Sequence, residues 1–121
     1  MATILLIDDD EGFRTMLRRA LQRVGYTVIE AEEGGAALRA LSGATVDLVI
    51  TDIIMPGKEG IETILALRRT HPQLKIIAVS GGGRRKPEGY LDVAKDFGAV
   101  HVLRKPFDNE ELFAAIKDAL R

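Results

Sequence analysis

The stretch ILLIDDDEGF, residues 4–13, runs from four apolar residues straight into three aspartates and then into an amphipathic pattern. Four consecutive apolar residues are typical of a strand that is buried on both faces, as in a parallel sheet covered by helices. Neighbouring carboxylates repel one another, so the three aspartates need protons, solvent or a cation around them. The stretch therefore predicts a buried strand that ends in an acidic cluster.

Short apolar runs and helical patterns alternate along the whole chain. The apolar runs are residues 3–7, 27–31, 46–51, 75–79 and 100–103. The first helical pattern repeats apolar residues at steps of three and four, namely Phe13, Met16, Leu17, Ala20, Leu21 and Val24. Gly25 can adopt the left-handed conformation that ends a helix, so we expect this first helix to stop there. Gly98 ends a later helical pattern over residues 90–97 in the same way. The last helical pattern opens with Asp108 and Glu111, a predicted capping box.

This alternation predicts an α/β fold with a five-stranded parallel sheet between two layers of helices. The second and fifth runs, TVIEA and VHVL, are less apolar than ILLI, DLVI and IIAV, which favours edge positions for the second and fifth strands. That placement fits the strand order 2-1-3-4-5, the flavodoxin-like (βα)5 three-layer sandwich. Ligands of such sheets bind beyond the carboxyl ends of the strands.

Composition narrows the range of functions. With 121 residues, of which 46% are apolar, we expect one domain over residues 1–121. A net charge of −1 gives no broad field for nucleic acid or membrane, so we expect no direct binding to either. The absence of cysteine excludes thiolate chemistry, and no apolar stretch approaches ~20 residues. With no basic leader, we expect a cytoplasmic protein.

Polar residues stand where the predicted strands end: Asp8, Asp9, Asp52, Ser80 and Lys105. Because parallel strands lie ~4.8 Å apart, these side chains are expected to converge on one pocket. Two carboxylates ~4 Å apart repel by roughly 4 kcal/mol at an effective dielectric of 20. An all-oxygen cluster suits a hard ion and predicts Mg²⁺ as the cofactor, with Asp10 left to begin the helix.

Asp52 is the predicted nucleophile of this pocket. A carboxylate beside Mg²⁺, a hydroxyl and an ammonium can attack a phosphorus atom, because its partners neutralise the charge that develops. Ser80 and Lys105 supply the hydroxyl and the ammonium. For each residue taken alone, a loop, cap or surface role is the alternative interpretation.

Four motifs, LLIDDDEGFR, DLVITDIIMPGKEG, IIAVSG and LRKPF, occur in order on the predicted elements. In these motifs the chain resembles the receiver domain of two-component response regulators, of the chemotaxis-receiver type, over nearly its full length. The resemblance implies that Asp52 accepts a phosphoryl group from the phosphohistidine of a histidine kinase or histidine phosphotransfer protein. It also implies that Asp9, Asp52 and the Ile54 carbonyl bind Mg²⁺ directly, whereas Asp8 acts largely through water.

The resemblance further implies that Ser80 and Lys105 hold the phosphoryl oxygens and that the protein is a signalling phosphoacceptor, not an enzyme. Val102 stands where receivers commonly carry Tyr or Phe, and the glycine-rich segment GGGRRKPEGY after Ser80 is longer than usual. We therefore assign Gly81 and Val102 to the switch region. We hypothesise that the glycine-rich segment becomes ordered when Ser80 is drawn toward a phosphoryl group.

Other functions share this fold. A Mg²⁺-dependent phosphatase would use the same nucleophile, but it usually needs a general acid and a cap over the substrate. A flavodoxin-like cofactor binder would not place aspartates and a lysine against an isoalloxazine. The run GGGRRK suggests a phosphate cradle, yet its spacing and its place after the fourth strand differ from a P-loop.

Partners follow from the leading hypothesis. We expect a histidine kinase or phosphotransfer protein upstream, and an effector protein or an output domain outside this chain downstream. A homodimer that depends on phosphorylation is a further expectation. Of the two histidines, we expect His71 to be exposed in a turn and His101 to be a partly buried residue of an edge strand.

Overall fold

Strands and helices alternate in the computed structural model. It describes residues 2–52, 59–80 and 99–121, and for residues 59–61 and 80 it describes the backbone alone. The strands are β1 (Thr3–Ile7), β2 (Thr27–Ala31), β3 (Leu48–Asp52), β4 (Lys75–Ser80) and β5 (His101–Arg104). The helices among these residues are α1 (Glu11–Arg23), α2 (Gly34–Gly43), α3 (Glu59–Thr70) and α4 (Asn109–Ala119). The helix predicted over residues 90–97 and the glycine-rich segment lie outside the described residues.

The five strands form one parallel sheet in the order β2-β1-β3-β4-β5. This order confirms the prediction, including the edge positions of the two less apolar strands. The interior strand β1 pairs with β2 on one side and with β3 on the other, where Ile7 lies opposite Thr51. As a result, the carboxyl ends of β1 and β3 are neighbours at one edge of the sheet.

Each face of the sheet has its own apolar core. On one face, Leu5 and Ile7 pack in a cluster with buried residues of α2 and α3. On the other face, Ile4 and Leu6 pack with buried residues of α1 and α4. Full burial of one such side chain contributes roughly 1.5–3 kcal/mol. The two cores hold β1 from both sides, so its carboxyl end is a rigid support for whatever follows it.

The buried stripe of α1 differs from the predicted one. Leu17 and Leu21 are buried as predicted, but Met16 is 56% exposed and Val24 is 46% exposed. Arg14 is buried instead, in line with the two leucines. The stripe that meets the sheet is therefore narrower than the apolar pattern and includes one charged residue.

Side chains cap the helices as their sequences suggest. Asp10 accepts a hydrogen bond from the Phe13 amide at 3.1 Å, so it begins α1 as predicted. Asp108 and Glu111 form the predicted capping box of α4. The Gly25 φ of 104° confirms the left-handed stop after α1. No helix among the described residues is long and apolar enough to span a lipid bilayer.

Candidate functional site

Three aspartates meet where β1 and β3 end. Asp52 is the last residue of β3, and Asp8 and Asp9 directly follow β1. One carboxylate oxygen of each aspartate lies within 4.8 Å of the other two. Asp8 and Asp52 are buried, with 4% and 6% of their surface exposed, whereas Asp9 is exposed. The predicted convergence of these three side chains is confirmed, and the cluster opens to solvent on the Asp9 side.

Lys105 brings a positive charge to the same cluster. Its Nζ lies 3.4 Å from Asp8 Oδ2 and 3.5 Å from Asp52 Oδ2. The same atom lies 3.8 Å from the centroid of the Phe13 ring, and Phe107 packs edge-on against that ring. Three carboxylates against one ammonium leave these four groups with a net negative charge when all are ionised.

Burial makes Asp8 hard to ionise. Loss of solvent raises the pKa of its carboxyl to about 6, and the negative charge of Asp52 acts in the same direction. The Asp10 amide, which donates to Asp8 Oδ1 at 2.8 Å, and the Lys105 ammonium lower this pKa and offset part of the increase. The cluster therefore holds a proton more readily than an ordinary aspartate does, and a cation would take its place.

Arg14 is part of this site, although it was not among the site residues predicted from the sequence. Its Nη1 donates to the Asp8 carbonyl at 2.7 Å, and its Nε donates to Glu30 Oε1 on β2 at 3.1 Å. The other Glu30 oxygen lies 2.8 Å from Arg18 Nε. Helical spacing carried a signal for it: an arginine in line with Leu17 and Leu21 lies on the buried stripe.

The remaining predicted site residues are only partly described. Ser80 ends β4, next to Val79, which pairs with Asp52; the Ser80 side chain lies outside the described atoms. Ile54 and Gly81 also lie outside the described residues. Val102 pairs with Ala78 on β4 and packs, half-buried, against the core cluster on the α2 and α3 face.

His101 lies away from the acidic cluster and has an acidic partner. Its ring is 34% exposed, which confirms the prediction of a partly buried residue. Nε2 lies 2.5 Å from Asp118 Oδ2 and is the donor, because an ionised carboxylate only accepts. This hydrogen bond lowers the pKa of Asp118. His71 contacts Thr70 Oγ1 through Nδ1 in the turn after α3 and is half-buried, so the prediction that it is exposed was wrong.

The donor set of the cluster fits a hard divalent cation. All three side chains offer carboxylate oxygens, two of them shielded from water. Mg²⁺ prefers oxygen ligands and usually takes one or two carboxylates while keeping several waters. The exposed position of Asp9 leaves room for such waters, so these residues could hold Mg²⁺.

Comparison with known proteins identifies the family. Residues 4–117 match the family model of the response regulator receiver domain. The chain belongs to this family. It is a receiver domain of two-component systems, and the resemblance drawn from the four motifs is confirmed.

Curated relatives of this receiver domain are longer proteins, among them transcriptional regulators and a sensor kinase. It is 39% identical over 123 residues to the transcriptional regulatory protein CpxR of Escherichia coli K12, covering 100% of this chain and 50% of CpxR. The chain spans half or less of the length of the curated relatives first matched.

Solved structures share the fold of this receiver domain. The chemotaxis response regulator CheY4 of Vibrio cholerae aligns with a TM-score of 0.87 at 32% identity and covers 99% of both chains. The response regulator TrrA of Thermotoga maritima, in complex with Mg²⁺–BeF, aligns with a TM-score of 0.85 at 32% identity, covering 99% of this chain and 100% of TrrA. The flavodoxin-like fold is thus confirmed.

Proposed function

We propose that this receiver domain accepts a phosphoryl group on Asp52 from the phosphohistidine of a histidine kinase or phosphotransfer protein, in a reaction that needs Mg²⁺. The observation that carries the proposal is the burial of Asp52 beside Asp8 and Asp9, with the Lys105 ammonium 3.5 Å away. Family membership and the Mg²⁺–BeF complex of TrrA support it.

Each residue of the cluster has a role in this proposal. An Asp52 oxygen attacks the phosphorus atom, the bond from phosphorus to the histidine nitrogen breaks, and the imidazole leaves with its electron pair. Lys105 moves from the carboxylates to a phosphoryl oxygen, with Ser80 as the second donor. Asp9, Asp52 and the Ile54 carbonyl would hold Mg²⁺ directly, and Asp8 would hold it largely through water. When bound, the ion neutralises charge on the phosphoryl oxygens.

The output of the domain is a change of partner-binding surface. Gly81 and Val102 form the proposed switch region, because Val102 lies on β5 beside the strand that ends in Ser80. Downstream of it we place an effector protein or an output domain, or a homodimer that forms on phosphorylation. We further infer that residues 1–121 act as one domain in the cytoplasm, as a signalling phosphoacceptor that assists its own phosphorylation and dephosphorylation.

Intact mass after incubation with acetyl phosphate tests this function. With Mg²⁺, we expect a gain of one phosphoryl group on the native chain and none on Asp52→Asn. Asp47→Asn is the matched control, because Asp47 stands just before the other end of β3 and is exposed. It should gain the same mass as the native chain.

Three results would contradict the proposal. The first is no gain in mass on a folded chain that binds Mg²⁺. The second is continuous release of phosphate from a small phosphoester over many turnovers, which would favour the phosphatase alternative. The third is equal gain on Asp52→Asn, which would move the acceptor to another residue.

A further inference from the structure

Arg14 is a charged side chain that the proposed phosphoryl chemistry does not use, yet it is buried. Only 9% of the surface of Arg14 is exposed to solvent. Burial of a guanidinium is costly unless its N–H groups are paired, and two N–H groups of Arg14 are paired. Its two hydrogen-bond partners show what is held: the Asp8 carbonyl and the Glu30 carboxylate.

The contacts of Arg14 connect three separate elements. The residue belongs to α1, Glu30 belongs to β2, and Asp8 directly follows β1. Arg18, one turn further along α1, forms an ion pair with the other Glu30 oxygen at 2.8 Å, so this carboxylate lies between two arginines of the same helix. The guanidinium is thus anchored at Glu30 and directs a second N–H at the Asp8 carbonyl. A lysine, with a single nitrogen, has no such fork.

Asp8 is consequently held at its amide, its carbonyl and its side chain. Its amide donates to the Ala31 carbonyl at 3.2 Å, its carbonyl accepts from Arg14 at 2.7 Å, and its Oδ1 accepts from the Asp10 amide at 2.8 Å. The Asp8 carbonyl belongs to the peptide unit that leads into Asp9. A hydrogen bond to this oxygen therefore sets the direction in which both carboxylates leave the backbone.

We propose that Arg14 is a positioning residue for the divalent-cation site: it holds the Asp8–Asp9 peptide unit so that both carboxylates face Asp52. The proposal rests on the proposed function, since it assigns a residue to the same Mg²⁺ site. Arg14 contacts the backbone of the cluster and none of its carboxylates. Arg14 would affect metal binding by orienting the ligands, as residues that hydrogen-bond to metal ligands do.

Position and charge predict opposite effects of removing Arg14. If the arginine acted only as a nearby positive charge, its loss would make the site more negative and would tighten Mg²⁺ binding. If it holds the peptide unit, its loss weakens binding although the site becomes more negative. A purely structural role would lower the melting temperature and leave the Mg²⁺ Kd of the folded protein unchanged.

The test is titration calorimetry with MgCl₂ on Arg14→Gln, Arg14→Lys and Arg19→Gln. We expect Arg14→Gln to raise the Mg²⁺ Kd by about tenfold, which is typical for the loss of a residue that orients metal ligands. Arg19→Gln is the matched control, because Arg19 is an exposed arginine of the same helix and the change removes the same charge. Its Kd should stay within about twofold of the native value or fall.

Arg14→Lys keeps the charge and loses the fork, so it separates the two effects even if Arg14→Gln does not fold. A raised Kd in Arg14→Lys supports the proposal. An unchanged or lower Kd in the Arg14 variants, beside a native chain that binds Mg²⁺, overturns it.

Amide hydrogen exchange of the metal-free protein tests the role of Arg14 separately from Mg²⁺ binding. It can be measured even if the native chain binds no Mg²⁺ and the proposed function fails. Amide exchange of Asp8 and Asp10 reports the order of this segment, and exchange of Leu5 within β1 reports the sheet. We expect faster exchange at Asp8 and Asp10, by about tenfold, in the Arg14 variants, with Leu5 unchanged. Exchange at native rates in all three positions would overturn the positioning role.

Discussion

Among the described residues, three side chains hold the Lys105 ammonium in place. Two are the buried carboxylates of Asp8 and Asp52, and the third is the face of the Phe13 ring at 3.8 Å. An ammonium over an aromatic face gains roughly 0.5–2 kcal/mol, more where water is excluded. The ring adds no charge of its own, so it directs Lys105 without competing with a phosphoryl group for it.

Replacing Phe13 tests this contact. Phe13→Leu removes the aromatic face and should slow phosphoryl uptake from acetyl phosphate about three- to tenfold, since the Lys105 ammonium loses one of its three supports. The measurement is the rate of mass gain at saturating Mg²⁺.

Phe113→Leu is the control for lost volume. Phe113 packs half-buried against the same core cluster as Phe13, so its replacement should lower stability by a similar amount and leave the rate unchanged. Equal rates for Phe13→Leu and the native chain would show that the ring serves packing alone.

The amino-acid sequence predicted some residues of the acidic site but not Arg14. The acidic residues and Lys105 were predicted because strand ends at one edge of a parallel sheet are necessarily close. Arg14 was missed because charged residues at helical positions are usually exposed, and its burial depends on Glu30, which comes from another element.

At the scale of elements, α2 and α3 approach each other closely at one glycine. Gly34 is the first residue of α2, and a Cβ there would collide with the side chain of Thr63 on α3, approaching its Cβ to 3.4 Å. Thr63 is itself buried, with 4% of its surface exposed. The absence of a side chain at Gly34 therefore sets how closely these two helices pack.

Gly34→Ala should lower the free energy of unfolding by about 1–3 kcal/mol, because the added methyl group overlaps Thr63 in a packed interface. Urea unfolding measures the loss. Gly43→Ala, at the other end of α2, is the matched control, since a Cβ there meets nothing within 4 Å. It should leave stability unchanged or raise it by up to about 1 kcal/mol.

A double variant separates the clash from other effects. Thr63→Ala removes the hydroxyl that the new Cβ would meet, so Gly34→Ala should cost less in that background than in the native chain. Equal costs in both backgrounds would mean that the destabilisation has another origin.

For the whole molecule, the acidic cluster couples stability to pH and to metal. Folding raises the pKa of Asp8 from its ordinary value of 3.8 to about 6, chiefly because burial removes solvent from the carboxyl. The folded state therefore keeps a proton that the unfolded chain releases earlier. Between pH ~4 and ~6 the Asp8 contribution favours unfolding progressively more as pH rises, and above this window it is constant.

Urea unfolding of metal-free protein between pH 4 and pH 7 measures this slope. Relative to Asp8→Asn, the native chain should lose roughly 1–3 kcal/mol of stability as pH rises through this window. Glu32→Gln, which replaces an exposed acid outside the cluster, should follow the native curve. Parallel curves for the native chain and Asp8→Asn would contradict the raised pKa.

Addition of Mg²⁺ should reverse the trend. The ion binds the ionised cluster, so its stabilising effect should grow as pH rises, reaching about 1.4 kcal/mol at ten times its Kd. Thermal melts with and without MgCl₂ at pH 5 and pH 7 give this difference. Equal shifts at both pH values would mean that the ion binds elsewhere.

Features that depend on local pattern and on connectivity could be predicted from the amino-acid sequence. Short runs of four to six residues predicted the strands, relative hydropathy predicted β2 and β5 at the edges, and chain order then placed Asp8 beside Asp52. Asp10 and the Asp108–Glu111 pair were predicted as helix starts because capping acts over three residues.

Contacts between residues that no local pattern relates are visible only in the folded protein. The Arg14–Glu30 pair, the His101–Asp118 hydrogen bond and the approach of Gly34 to Thr63 each join two elements. Whether Met16 is buried likewise depends on how α1 is rotated against the sheet, which its own periodicity leaves open. Local periodicity selects the elements, whereas the packing distance and rotation between them select which side chains touch.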